Sequence, residues 1–274
     1  MSRPRIHDVG RDGGLGVVLV AVAVATSVAG CLPAPATQQA HAVADLWTVF
    51  VVAAAGVAVL VWGLITFDIV RYRQKRSQAG TIPRQVHDAP RLEIAWTAVP
   101  IIIVLVLFWL TLGAMDRIDA RTPGTVTVEV TAFRWQWAFA YRDTGVRVVG
   151  EPDVPAEMVV PAAEPIHIVL TATDVAHAFF VPAFLFKRDA IPGRTNEFDV
   201  TIDEPGAYGG QCAEFCGVFH DQMLLTVRAV TRPEYDAWLA AASTRPAPAS
   251  SGVAPAGSIG SVAPAPSTAG PPSP

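Results

Sequence analysis

Cysteine is scarce in this 274-residue chain, with only Cys31, Cys212 and Cys216 present. None of them stands in a Cys-x-x-Cys-His arrangement, which excludes a covalently attached c-type haem. Charge is thin as well, at 16% of residues against 51% hydrophobic, with a mean hydropathy of +0.38. Such a chain is too apolar for an ordinary soluble protein, and membrane spans are expected. Basic residues are short in one stretch above all: residues 116–240 hold 18 acidic against 10 basic side chains, a net of −8. No nucleic acid is expected among the partners. Residues 243–274 nearly lack charge, with Arg245 alone among Pro, Ala, Ser and Gly. A tail of that kind cannot bury a core and is expected to be disordered.

What is present divides the chain into five parts. Residues 1–30 carry Arg3, Arg5 and Arg11, then an apolar run, then Val28-Ala29-Gly30-Cys31. A basic start, a short apolar stretch and small residues before a cleavage point read as an export signal. The ending resembles a lipobox, with Cys31 as the lipid-modified first residue of the mature chain; a plain signal peptide with an incidental cysteine is the other reading. Residues 31–44 read as a linker. Residues 45–115 hold two apolar runs, 46–70 and 94–115, each long enough at about 1.5 Å per residue to cross a bilayer core of about 30 Å. Between them, residues 71–91 hold six basic residues and one acidic residue, which places that loop in the cytoplasm of a bacterial cell and both ends of the hairpin outside.

Residues 116–242 read as β structure. Val126, Val128 and Val130 alternate with polar residues, and Phe133, Trp135, Trp137, Phe139 and Tyr141 continue a period of two, as the apolar face of a strand would. Further strands are expected over 166–173, 195–202 and 223–230, with a short closing helix over 233–242. His167 falls in the first of these and reads as structural. Many short strands with Pro, Gly and Asp between them argue a β-sandwich or Greek-key barrel.

The chemistry is concentrated in Gln211-Cys212-Ala213-Glu214-Phe215-Cys216-Gly217-Val218-Phe219-His220-Asp221-Gln222-Met223. Two thiols, an imidazole and a thioether are soft or intermediate donors, a set that favours copper over calcium or magnesium. His177, in Asp174-Val175-Ala176-His177, is a further candidate ligand from a different strand. A disulfide between Cys212 and Cys216 is a rival reading. So is a closed zinc site, in which Met223 would have no role.

The pattern Cys-x-Glu-x-Cys-Gly-x-x-His-x-x-Met, preceded by such a histidine, resembles the dinuclear copper A site of cytochrome c oxidase subunit II. The resemblance covers about residues 44–239. It implies a membrane-anchored all-β protein: a two-helix transmembrane hairpin followed by a cupredoxin-like domain on the outer face of the plasma membrane. It also implies that Cys212 and Cys216 bridge two copper ions, that His177 and Met223 complete one, and that His220 and the main-chain carbonyl of Glu214 complete the other. The Glu214 carboxylate would help hold a magnesium or manganese ion shared with subunit I, a hard cation suited to oxygen donors. Arg134-Trp135-Gln136-Trp137 resembles the family's aromatic segment, which makes Trp135 the group that receives electrons from cytochrome c. Glu93, in Glu-x-x-Trp, is either an entrance carboxylate for protons or a first-turn glutamate favoured by the helix dipole.

The partners implied are subunits I and III of the oxidase, a soluble or membrane-bound cytochrome c, and lipid. The activity implied is that of an oxidase whose oxygen-reducing, proton-pumping site lies in another chain. His177-Ala178-Phe179, Gly209 and Ala140 depart from the family's usual residues. Other readings are a copper A subunit of a nitric oxide reductase, a copper-delivery lipoprotein, a quinol oxidase subunit II and nitrous oxide reductase. Intact Cys212, Cys216, His220 and Met223 argue against the quinol oxidase subunit, and the two spans against nitrous oxide reductase. An acidic domain would attract a basic cytochrome, with exposed Asp143 a candidate contact.

Overall fold

The computed structural model describes residues 32–73, 88–122, 126–151 and 154–244. The leader, Cys31, most of the basic loop and the tail from residue 245 lie outside the described residues.

Among the described residues two long helices come first, α1 (Gln38–Arg71) and α2 (Pro90–Ile118). At about 1.5 Å per residue both exceed the thickness of a bilayer core, and their apolar side chains, Trp62, Leu105 and Trp109 among them, are exposed. Inside these spans the few hydroxyls are satisfied by their own helix. Thr48, Thr66, Thr97 and Thr111 each donate to the carbonyl four residues back, at 2.7–3.0 Å, which removes the penalty of an unpaired polar group in lipid.

The first helix begins earlier than a linker over 31–44 allows. Thr37 caps it, its hydroxyl accepting the N–H of Ala40 at 3.0 Å, so the extra turns are built by a good N-cap that apolarity does not reveal. Those turns dock on the β-domain. Ala36 exchanges main-chain hydrogen bonds with Ala183 and Asp203, Gln39 accepts the N–H of Thr201, and His41 Nε2 lies 2.9 Å from Asp203. At the far end of α2, Asp119 pairs with Arg188, and the N–H of Thr122 reaches Asp199 at 2.7 Å. His167 is the structural residue expected, with Nδ1 2.6 Å from Asp199.

Among the described residues, ten strands form the domain: β1 (Val126–Phe133), β2 (Gln136–Tyr141), β3 (Arg147–Val149), β4 (Ala156–Pro161), β5 (Pro165–Ala172), β6 (His177–Val181), β7 (Phe186–Ala190), β8 (Asn196–Thr201), β9 (Gly206–Cys212) and β10 (Leu224–Val230). They make two five-stranded sheets, ordered β3-β2-β1-β5-β8 and β4-β10-β9-β6-β7. Between them lies a core of Trp137, Phe139, Met158, Ile166, Ile168, Leu170, Phe179 and Leu225, all essentially inaccessible to solvent. This is the cupredoxin-like sandwich that the resemblance implies. Tyr141 ties the two sheets together. Its hydroxyl donates to the carbonyl of Val159 at 2.9 Å and accepts the N–H of Val159 at 2.8 Å. Val159 lies on edge strand β4, whose outward groups would otherwise be orphaned. Helix α3 (Arg232–Ser243), opened by a Thr231/Glu234 capping box, lays Tyr235 and Trp238 against Tyr141.

The aromatic segment is not one strand. It folds as a hairpin whose loop is Arg134-Trp135, with Phe133 opposite Gln136 and Ala132 opposite Trp137. Inward residues are even-numbered on β1 and odd-numbered on β2. A two-residue loop changes the parity of the inward face, so Phe133 does not share a face with Trp137, Phe139 and Tyr141. Trp135 leaves the core and sits half-buried at the loop.

Candidate metal centre

Three strands converge on the cysteine loop. β9 and β10 pair antiparallel, and the ladder is extended by the N–H of Cys212 donating to the carbonyl of Met223 at 2.9 Å. Cys212 and Met223 therefore face each other at the neck of the loop that carries Cys216 and His220. Strand β6 pairs with β9, Phe179 opposite Cys212, which brings His177 from its first position to the same end of the sheet. A short 3-10 turn, His220–Gln222, returns the chain to Met223. Glycine is required at 217: its φ is +121°, and a Cβ there would lie 3.3 Å from the Trp135 ring.

Every expected copper donor lies in one cluster. The two sulfurs are 3.9 Å apart and the cysteines are free, so the disulfide reading fails. Cys212 Sγ is 3.8 Å from His177 Nδ1 and 3.3 Å from the carbonyl oxygen of Glu214. Cys216 Sγ is 3.5 Å from His220 Nδ1 and 3.8 Å from Met223 Sδ. His177 and Met223 are fully buried and both cysteines nearly so. The Trp137 ring stands edge-on to His177 and to Phe179, keeping the inner side dry.

The charges in this pocket call for a cation. Burial opposes ionisation of Cys212, but its hydrogen bond with the His177 imidazole prevails and brings the thiol down to about 7. Cys216 is pushed up to about 12, by burial first and then by the negative charge of Cys212. Two buried thiolates at this distance repel each other, and a bound metal cation relieves that repulsion. Burial works against protonation of His177, yet contact with Cys212 and Asp174 raises its pKa. Five soft or intermediate side-chain donors with one carbonyl and no carboxylate oxygen suit copper.

The remaining expected residues sit as follows. Trp135 adjoins the cluster: its indole N–H donates to the carbonyl of Cys216 at 3.3 Å, and its ring meets Phe219 edge-on at 4.9 Å between centroids. The Glu214 carboxylate points away from the sulfurs and pairs with Lys187 at 3.4 Å. Glu93 stands far along the chain in the first turn of α2, its carboxylate accepting the N–H of Ala89 at 3.2 Å, as a dipole-favoured glutamate does. Asp143 lies at the opposite end of β2 from Trp135, roughly 20 Å away at about 3.3 Å per residue, and is no neighbour of the site.

Three participants are not marked by type or spacing alone. Asp174 contacts His177, Lys187 contacts Glu214, and Gly217 makes room for Trp135. An acid three residues before a candidate ligand and a glycine after a ligand cysteine were the available signals.

The transmembrane-domain model of cytochrome c oxidase subunit II matches residues 25–112, and the model of that family's periplasmic domain matches residues 144–230. The chain is 33% identical over 243 residues to a probable cytochrome c oxidase subunit 2 of Streptomyces avermitilis, covering 74% of this chain and 76% of the relative. It is 32% identical over 273 residues to a probable cytochrome c oxidase subunit 2 of Nocardia farcinica, covering 76% and 72%. A solved periplasmic domain of cytochrome oxidase subunit II from Bradyrhizobium japonicum is 35% identical, with a TM-score of 0.42 over 44% of this chain and 95% of that one.

Proposed function

Because this chain belongs to the cytochrome c oxidase subunit II family, we propose that His177, Cys212, Glu214, Cys216, His220 and Met223 hold its copper A pair and that Trp135 receives the electrons. The chain is a membrane-anchored subunit of an oxidoreductase, with its β-domain on the outer face. It takes electrons from a cytochrome c and passes them to haem in subunit I, where oxygen is reduced.

The observation that carries the assignment is the convergence of all six donors within 3.3–3.9 Å of a cysteine sulfur. Cys212 and Cys216 would be shared by both ions, with His177 and Met223 as the further donors to one and His220 and the Glu214 carbonyl as those to the other. When bound, two copper ions sharing one valence electron supply a one-electron couple whose charge change is spread over a large unit. The chain's own part is rigidity. Cys212 and Met223 are locked by a ladder hydrogen bond, His177 by a strand and a carboxylate, and Cys216 by the Trp135 indole, so the donors move little as the electron comes and goes. Trp137 and Phe179 exclude water from the inner side.

The Glu214 carboxylate is left for a magnesium or manganese ion at the boundary with subunit I, where Lys187 would have to release it. Glu93 begins the span that follows the basic loop, the side from which protons would be taken up. A lipid on Cys31 would tether the outer end of α1.

Metal analysis of the full-length chain in detergent tests the reading. Two coppers per chain and a purple chromophore are expected, both lost in Cys216→Ser. One copper or none after reconstitution would overturn it.

A further inference from the structure

Asp174 occupies the ground between the Trp135 turn and the ligand cluster. Its Oδ1 lies 2.8 Å from His177 Nε2 and accepts the N–H of Val175 at 2.7 Å. Its Oδ2 accepts the main-chain N–H of Arg134 at 2.7 Å and Arg134 Nε at 3.2 Å. The carboxylate is thus met by four donors while its side chain remains only 23% exposed. Burial works against its charge, but the bonds from His177, Val175 and Arg134 hold its pKa below the usual carboxylate value.

We propose that Asp174 is a positioning residue for electron transfer, joining the turn that presents Trp135 to the copper ligand His177. The inference rests on the copper reading above and adds a role to a residue outside the ligand set. His177 turns Nδ1 toward Cys212 and Nε2 toward Asp174. A carboxylate at Nε2 keeps the proton there, leaves the Nδ1 lone pair for the metal and makes the imidazole a stronger donor. The other oxygen holds the N–H of the residue immediately before Trp135, a charge-assisted bond to a loop amide that β1 and β2 do not pair. The Trp135 indole is held at its other end by the Cys216 carbonyl. The electron-receiving ring is therefore registered against the cluster from both sides, through Cys216 and through Asp174 to His177. The exposed Arg134 guanidinium adds little; its main-chain N–H is the group that matters.

A purely structural role also has a basis, since the bond to Val175 closes a local turn of the kind aspartate favours. The two roles part in their readouts. The experiment compares the wild-type oxidase complex with Asp174→Asn and Asp174→Ala, measuring copper affinity by chelator competition, the midpoint potential of the copper band, and its reduction rate by cytochrome c. Asparagine keeps one oxygen for His177 but loses the charge and cannot serve Arg134 as well.

Asp174→Ala should lower copper affinity about 10–100-fold and raise the potential, because a weaker imidazole donor stabilises the oxidised pair less. Asp174→Asn should raise the potential in the same sense and slow reduction, with copper retained. Affinity and potential unchanged in both variants, whatever happens to thermal stability, would overturn the proposal. Should Asp174→Ala not assemble, an unchanged potential in Asp174→Asn overturns it alone. Copper missing from the wild type would instead overturn the copper reading, so the two failures are distinguishable.

Discussion

Trp135 donates its indole N–H to the main-chain carbonyl of Cys216, 3.3 Å away and 81 residues along the chain. The residue expected to receive electrons thereby touches the backbone of a residue expected to hold the metal. The contact is possible because Gly217, next in the chain, presents no side chain to the ring.

Gly217→Ala follows directly. The φ of +121° is strained for any L side chain, at about 1–3 kcal/mol, and the added Cβ would push on the indole at 3.3 Å. The variant should fold less stably and receive electrons more slowly, with copper content lowered less than in Cys216→Ser. Copper analysis and stopped-flow reduction of one preparation check both parts. A wild-type rate would show that the close packing is not needed.

Tyr141→Phe tests the tie between the sheets. The phenylalanine keeps the ring against Trp238 but leaves the N–H and C=O of Val159 without partners on the edge of β4. Each buried orphan costs about 1–3 kcal/mol. The midpoint for thermal loss of the copper chromophore should fall, while the spectrum at low temperature stays as in the wild type.

These residues show what is legible in a sequence of this kind. The five side-chain donors of the cluster and the two spans are readable because ligand type, spacing and apolar length are local properties; the Glu214 carbonyl is implied only by the resemblance of the motif. The strands at 126–133, 165–172 and 224–230 are readable for the same reason. The hairpin at Arg134-Trp135 is not, because a two-residue loop preserves alternation in the text while exchanging the faces in space. The start of α1 at Gln38 is hidden because capping and docking on Asp203 and Thr201 outweigh apolarity there. Lys187 and the tie from Asp174 to Arg134 are hidden for another reason: those contacts depend on chain segments that only the closed sandwich brings together.

Topology gives a further test. A protease supplied to the outer face should cut within residues 116–240 and spare the basic loop between the helices. Mass spectrometry of the mature N-terminus should find diacylglycerol on Cys31. An unmodified N-terminus elsewhere would remove the lipid anchor and leave the two spans standing.

Electron transfer can be separated from docking. The outer domain is net acidic, so a basic cytochrome is steered toward it, an effect screened over about 8 Å at physiological salt. Steering acts on association, whereas transfer in the docked complex depends on the group between haem edge and copper. Trp135→Phe removes the indole N–H to Cys216 but keeps an aromatic ring. It should slow transfer on the order of tenfold, equivalent to about 1.4 kcal/mol of barrier, with docking affinity and its salt dependence unchanged. Asp143 is too far from the turn to serve as the contrasting site. Glu151 is exposed and adjacent, its carbonyl accepting the side-chain amide of Gln136 at 2.8 Å. Glu151→Gln should weaken association at low salt and leave transfer within the complex alone. Stopped-flow reduction by cytochrome c across a salt series, with copper absorbance recorded on each sample, separates the two. An intact copper band with an unchanged rate in Trp135→Phe would remove Trp135 from the path. A bleached band would show instead that the ring serves the fold.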